Sequence, residues 1–166
     1  MTDMRAALAA ITCVACGHAA ARTSSPSVGS EWEPLRGLVG SWEGRDQARN
    51  TTGHFTLAPD LGGKVLVRHN VDETPQGRHE DLMVVYHDAS GMRAKYFDNE
   101  GHVIDYAITS TGTHVDFVSD EIANMPRFKL SYDAHGTGEL AIDFAIAPPG
   151  TTEFKHYTGG TVHRVR

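Results

Sequence analysis

Lys64-Val65-Leu66-Val67-Arg68-His69-Asn70-Val71 is the stretch that decides the fold. Val65, Val67, His69 and Val71 fall on one face, and Lys64, Leu66, Arg68 and Asn70 on the other. That period of two belongs to an extended strand and not to a helix. The pattern recurs along the chain. Leu82, Val84 and Tyr86 alternate with Asp81, Met83, Val85 and His87, while Met92 and Tyr96 oppose Arg93, Lys95 and Phe97. Ile104, Tyr106 and Ile108 oppose Asp105, and Phe128, Leu130 and Tyr132 oppose Arg127, Lys129 and Ser131. Leu140, Ile142, Phe144 and Ile146 oppose Asp143, and Val162 belongs to a last strand.

Short glycine-bearing turns separate these runs, among them Asp60-Leu61-Gly62-Gly63, Asp88-Ala89-Ser90-Gly91 and Asn99-Glu100-Gly101. A tight reversal needs positive φ, which glycine adopts without strain. Only Trp32 to Val39 suits a helical turn. Some ten strands spaced every eight to twelve residues predict an all-β, antiparallel meander barrel of roughly eight to ten strands. Closure removes the sheet edges that a meander would otherwise expose. A β-sandwich is the alternative.

The chain has 166 residues, 40% hydrophobic and 22% charged, which suits one domain. Its formal net charge of −6 argues against a nucleic-acid surface, which needs clustered positive charge. No apolar run approaches the roughly 18 residues of a spanning helix. Residues 1–21 resemble a secretory leader: Arg5, an apolar stretch from Ala6 to Cys16, then Ala19-Ala20-Ala21 before a cut at Arg22. The expected product is exported, periplasmic or secreted, with 22–30 a flexible tether and 31–166 the barrel. Both cysteines, Cys13 and Cys16, lie in the leader, so the mature domain would hold no disulfide or thiolate site. In an alternative reading Val14-Ala15-Cys16 is a lipidation signal, and an acylated Cys16 tethers the chain to a membrane.

Leu35-Arg36-Gly37-Leu38-Val39-Gly40-Ser41-Trp42-Glu43-Gly44 resembles the opening of the calycin group, which includes lipocalins and nitrobindins. Leu61-Gly62-Gly63-Lys64 before a strand is similar to a lipocalin-like family of uncharacterised bacterial proteins. The resemblance covers roughly Leu35 to Arg166. It implies a ligand-holding barrel whose floor is closed by Trp42. It would also place haem on His156, as in nitrobindins. Here Gly159-Gly160 should interrupt the strand where that family has apolar residues, so the expectation is no cofactor.

Nine histidines follow the leader, but none sits in a His-Glu-x-x-His pattern, so no metal site is expected. Two neighbourhoods could carry chemistry. Arg78-His79-Glu80-Asp81 opens one strand; Tyr96-Phe97-Asp98-Asn99-Glu100-Gly101-His102 forms a hairpin tip, with Tyr106 beyond it. Asp98 and His102 should meet across that hairpin, sharing a face with Tyr96 and Tyr106. Tyr96, Asp98, His102, Tyr106, Arg68, His79 and Glu80 are therefore the candidate ligand-binding residues, and His102, Asp98 and His79 the candidate acid–base groups. Arg68 is a candidate internal cation for a carboxylate ligand, with solvent exposure as the alternative. His69, in its valine-rich face, reads as a core histidine.

Three function classes remain. The first is an exported barrel holding a small, partly apolar ligand, since sites favour barrel mouths. The second is an acid–base enzyme such as an isomerase, cyclase or hydrolase using a His/Asp pair. The third is a structural envelope protein. No nucleotide loop or hydrolase elbow appears.

Overall fold

The computed structural model describes residues 28–47, 49–136 and 138–165. The proposed leader, its cleavage site, Cys13, Cys16 and most of the tether lie outside the described residues. After a 3-10 turn at Ser30–Leu35 come ten strands: β1 (Gly40–Asp46), β2 (Thr51–Asp60), β3 (Val65–Thr74), β4 (Gly77–Asp88) and β5 (Gly91–Asp98), then β6 (Val103–Thr111), β7 (His114–Ser119), β8 (Arg127–His135), β9 (Glu139–Ala147) and β10 (Lys155–Arg164). Each pairs antiparallel with its sequence neighbour, and β1 closes on β10 through Trp42↔Arg164 and Glu43↔His163. The result is a closed meander barrel, as the period-two pattern predicts.

One end is plugged by the N-terminal turn. Trp32, Leu35, Leu38 and Trp42 are all buried there. The Trp32 Nε1–H donates to Gly63 O at 2.8 Å, tying the plug to the β2–β3 loop. Trp42 closes the floor, but its Nε1–H donates to Leu38 O at 2.8 Å, within the preceding turn and not across to a strand. The Arg164 guanidinium lies 4.3 Å from the Trp42 ring centroid and donates to Val39 O and Gly37 O. The chain's last strand is thus locked onto its first turn.

On β3 and β4 the strand faces are reversed relative to the hydrophobic reading, whereas β5, β6 and β8 turn their apolar face inward as expected. On β3 it is Leu66 and Asn70 that are buried, with Arg68 between them at 11% side-chain exposure. Val65, Val67 and Val71 form the half-buried outer wall, and His69 is exposed, so it is no core histidine. On β4, Asp81, Met83 and Val85 face in, and Leu82 and Val84 face out. Paired strands share faces, so Val67 and Val84 meet on the outer wall and support each other there.

Above the plug a chain of aromatic rings crosses the interior: Trp42, Phe55, Tyr132, Phe117, Tyr106 and Tyr96. Successive centroids lie 6.2, 6.0, 5.7, 6.5 and 6.4 Å apart. Offset and edge-on aromatic contacts of this kind favour a fixed packing. This layer fills the middle of the barrel.

Candidate functional site

Toward the other end, inward-facing side chains are no longer buried. Phe128, Leu130, Ile104 and Ile142 pack on the core yet remain half-exposed. Phe128 stacks on Phe144 at 6.0 Å, and Tyr157, 66% exposed in a bulge of β10, meets Phe144 edge-on at 6.1 Å. Gly160 pairs with Ile142, which puts its missing side chain on the inner face. A Cβ there would meet no atom within 4 Å. The barrel therefore ends in an open cup, with an apolar wall on β8, β9 and β10.

The opposite wall, on β3, β4 and β5, is polar. Arg68 Nη2–H donates to Asp81 Oδ2 at 3.3 Å, and Asn70 Nδ2–H donates to the same oxygen at 3.0 Å and to Asp72 Oδ2 at 2.9 Å. Burial opposes the charge on Arg68. The carboxylates of Asp81 and Asp72, together with the phenol oxygens of Tyr132 and Tyr96, more than offset it, raising the guanidinium pKa above its ordinary value. The guanidinium also lies 5.5 Å from the Phe55 ring centroid, on the aromatic layer. Three polar atoms here make no hydrogen bond: Arg68 Nε, Arg68 Nη1 and Asp81 Oδ1 are buried without a partner among the described residues.

From this centre a run of polar contacts reaches the rim. His79 Nε2 lies 3.6 Å from Asp81 Oδ2 and 3.2 Å from the Tyr96 hydroxyl, while its Nδ1 lies 3.4 Å from Glu100 Oε1. Tyr96 donates to Asp98 Oδ2 at 3.2 Å, and His102 Nδ1–H donates to that oxygen at 2.8 Å. Asp98 Oδ1 accepts the backbone N–H groups of Glu100 and His102, which fixes the hairpin tip. Gly101, at φ +92°, supplies the left-handed residue that this turn requires.

These contacts set the titration of the rim. Burial of Asp98 favours its neutral form, but the hydrogen bonds and charge of His102 outweigh that and hold the carboxyl below its usual range. The hydrogen bond to Asp98 and its charge raise the His102 imidazole above its usual value. Burial raises the Tyr96 and Tyr106 phenols, so both stay protonated donors.

Of the residues singled out from sequence, Arg68, Tyr96, Asp98 and His79 line the cup, and His102 stands at its rim, 61% exposed. Tyr106 lies deeper, buried in the aromatic layer. Glu80 is the misplaced member. β4 turns it outward, against Arg78 and the turn residue Asn99, away from the barrel interior. His156 also sits on the outer wall, bound to Asp143 and 63% exposed. Gly159-Gly160 does not interrupt β10, which continues in register through both residues. Asn70 and Asp72 escaped the sequence reading. They follow Arg68 at two-residue steps, and that spacing was the available signal.

Two surface hollows of about 390 and 540 Å³ belong to the outer wall, beside Leu82 and Phe97 and beside His54 and Arg78. A further cluster, His114 with Asp116, Asp133 and Ser131, is likewise outside and clamps β7 to β8. Among the described residues no group of three or more His, Cys, Asp or Glu could hold a metal ion.

Fold and site together define a closed ten-stranded antiparallel barrel, floored by tryptophan and open at a cup with one apolar and one polar wall. No model of a known protein family matches the chain, and no curated protein matches it in sequence.

Proposed function

We propose that this is an exported binding protein that holds a small, partly apolar molecule in the barrel cup. One observation carries the reading: the inward side chains of the upper barrel, Phe128, Leu130, Ile104 and Ile142 among them, are half-exposed at the end away from the plug. The leader-like N-terminus supports export.

Native mass spectrometry of protein purified from its own host tests this. A small molecule should accompany the wild type and be missing from Gly160→Leu, whose Cβ meets no atom within 4 Å and whose side chain faces the cup. Retention of the molecule by Gly160→Leu overturns the reading, as does a wild type that carries nothing and takes up no apolar probe.

A second reading, acid–base chemistry, is favoured by His79. Its ring sits between Asp81 and Glu100 and against the Tyr96 hydroxyl, at 29% side-chain exposure. An imidazole placed so can shuttle a proton between a ligand and the phenol. Conversion of the co-purified molecule by the wild type, lost in His79→Gln, would establish it.

A further inference from the structure

We infer that His114 is a proton-operated latch on the outer wall. As an imidazolium it ties β7 to β8 at the end of their ladder nearest the plug, and as a neutral ring it releases one of its two carboxylates. The inference goes beyond the binding reading and needs no ligand. The geometry is that of a cation. His114 Nδ1 lies 2.9 Å from Asp133 Oδ2 on β8, and Nε2 lies 3.0 Å from Asp116 Oδ1 on β7 itself. A neutral imidazole offers one N–H and one lone pair. One of these nitrogens would then turn its lone pair on a carboxylate oxygen, and only the imidazolium presents N–H to both. The Nδ1 contact has hydrogen-bond geometry, so Asp116 is the partner released. Ser131, whose hydroxyl donates to Asp116 Oδ1, keeps that carboxylate in place.

The neighbouring strands leave this role to His114. From β6, Thr111 stands opposite His114 and Thr109 opposite Asp116. From β9, Ala141 stands opposite Asp133 and Asp143 opposite Ser131; Asp143 is itself bound by His156 of β10. On β8, His135 is exposed and opposite Glu139, while Lys129 lies 5.8 Å from the Phe154 ring centroid. The hydrogen bond to Asp133 raises the His114 pKa above its ordinary 6.5; burial opposes it, and the charges of Asp116 and Asp133 reinforce it. The latch is therefore closed below that value and opens as pH rises through the folded one. His156 supplies a contrast. It meets Asp143 through Nδ1, a contact that the neutral Nδ1–H tautomer keeps.

A backbone reporter adjoins the latch: the Ala134 N–H donates to Thr113 O at 3.2 Å, between the residues next to Asp133 and His114. Its hydrogen exchange, read by NMR as a protection factor so that intrinsic pH dependence cancels, tests the inference. From about pH 5.5 to about pH 8.5 the wild-type factor should fall roughly two- to fivefold, the scale of a partly exposed ion pair. His114→Gln should abolish the fall, and Asp116→Asn, which leaves one carboxylate for a neutral ring, should flatten it. His156→Gln should keep it. Ring nitrogen shifts of His114 should be those of the imidazolium at the lower pH and of the Nδ1–H tautomer at the higher. A wild-type factor that does not change with pH overturns the latch, as does a neutral His114 ring at the lower pH. So does a fall that survives in His114→Gln or, should that variant not fold, in Asp116→Asn at full size. Loss of the fall in His156→Gln also overturns it, since the response would then belong to another seam.

Discussion

Arg68 and Asp81 face each other inside the barrel, Nη2 to Oδ2 at 3.3 Å, with side chains 11% and 3% exposed. Thirteen residues apart in sequence, they occupy neighbouring strands, one step out of direct register: Arg68 pairs with Met83, and Asp81 with Asn70. A buried pair of this kind places two charges where either alone would be costly.

Removing one partner should therefore hurt more than removing both. Asp81→Ala strands the guanidinium and should cost about 3–5 kcal/mol. The double variant Arg68→Met/Asp81→Leu should cost clearly less than the sum of its single changes. Urea denaturation of the four proteins measures the coupling. Additive losses would show that the two side chains do not sense each other.

Tyr106 and His102 lie on the same strand-and-turn but play different parts. Tyr106→Ala deletes a ring from the aromatic layer and should cost about 3–5 kcal/mol, the range for buried aromatic truncation. His102→Ala removes an exposed rim imidazole and should lower the thermal midpoint at neutral pH far less than Tyr106→Ala does. A His102→Ala variant as unstable as Tyr106→Ala would make His102 part of the core.

The Asp98–His102 pair gives stability within a pH window. The His102 pKa is raised on folding above its ordinary 6.5, so its contribution is complete below that value and lost as pH rises through the folded one. The Asp98 pKa is lowered from its ordinary 3.8, so its contribution is complete above that value and lost as pH falls through the folded one. The pair should thus stabilise most at mildly acidic pH. Titration of the His102 ring by NMR should give a midpoint above the ordinary one, and Asp98→Asn should bring it back down.

The plug depends on two indole hydrogen bonds as well as on volume. Trp32→Phe keeps most of the ring but leaves Gly63 O without its donor, and should cost about 1–3 kcal/mol. Trp32→Ala also opens a cavity and should cost about 3–5 kcal/mol. Equal losses in the two would mean that the hydrogen bond dominates the plug.

Alternation with period two and the spacing of glycine turns are local properties, set by backbone sterics within a few residues. They made the strands, the hairpins and the all-β class legible, and the short helical stretch before Trp42 marked the floor. Asp98 and His102 could be paired from sequence because four residues around a glycine turn leave little choice of geometry.

Which face of a strand points inward is not a local property. On β3 the valines looked like the core face, and Lys64, Leu66, Arg68 and Asn70 lay on the other. Closure of the barrel put them the other way round: it directed Leu66, Arg68 and Asn70 over Phe55 and beside Asp81, and left the valines on the outer wall. The usual rule is inverted here because Arg68, Asn70, Asp72 and Asp81 bond one another inside, while cross-strand neighbours support the valines on the outer wall. The same closure turned Glu80 outward while keeping His79 and Asp81 within, a consequence of one-residue steps along a pleat. The sequence determined that strands form and where they turn. Only the ring of ten pairings, each constraining the next, decided which of their side chains share the cup.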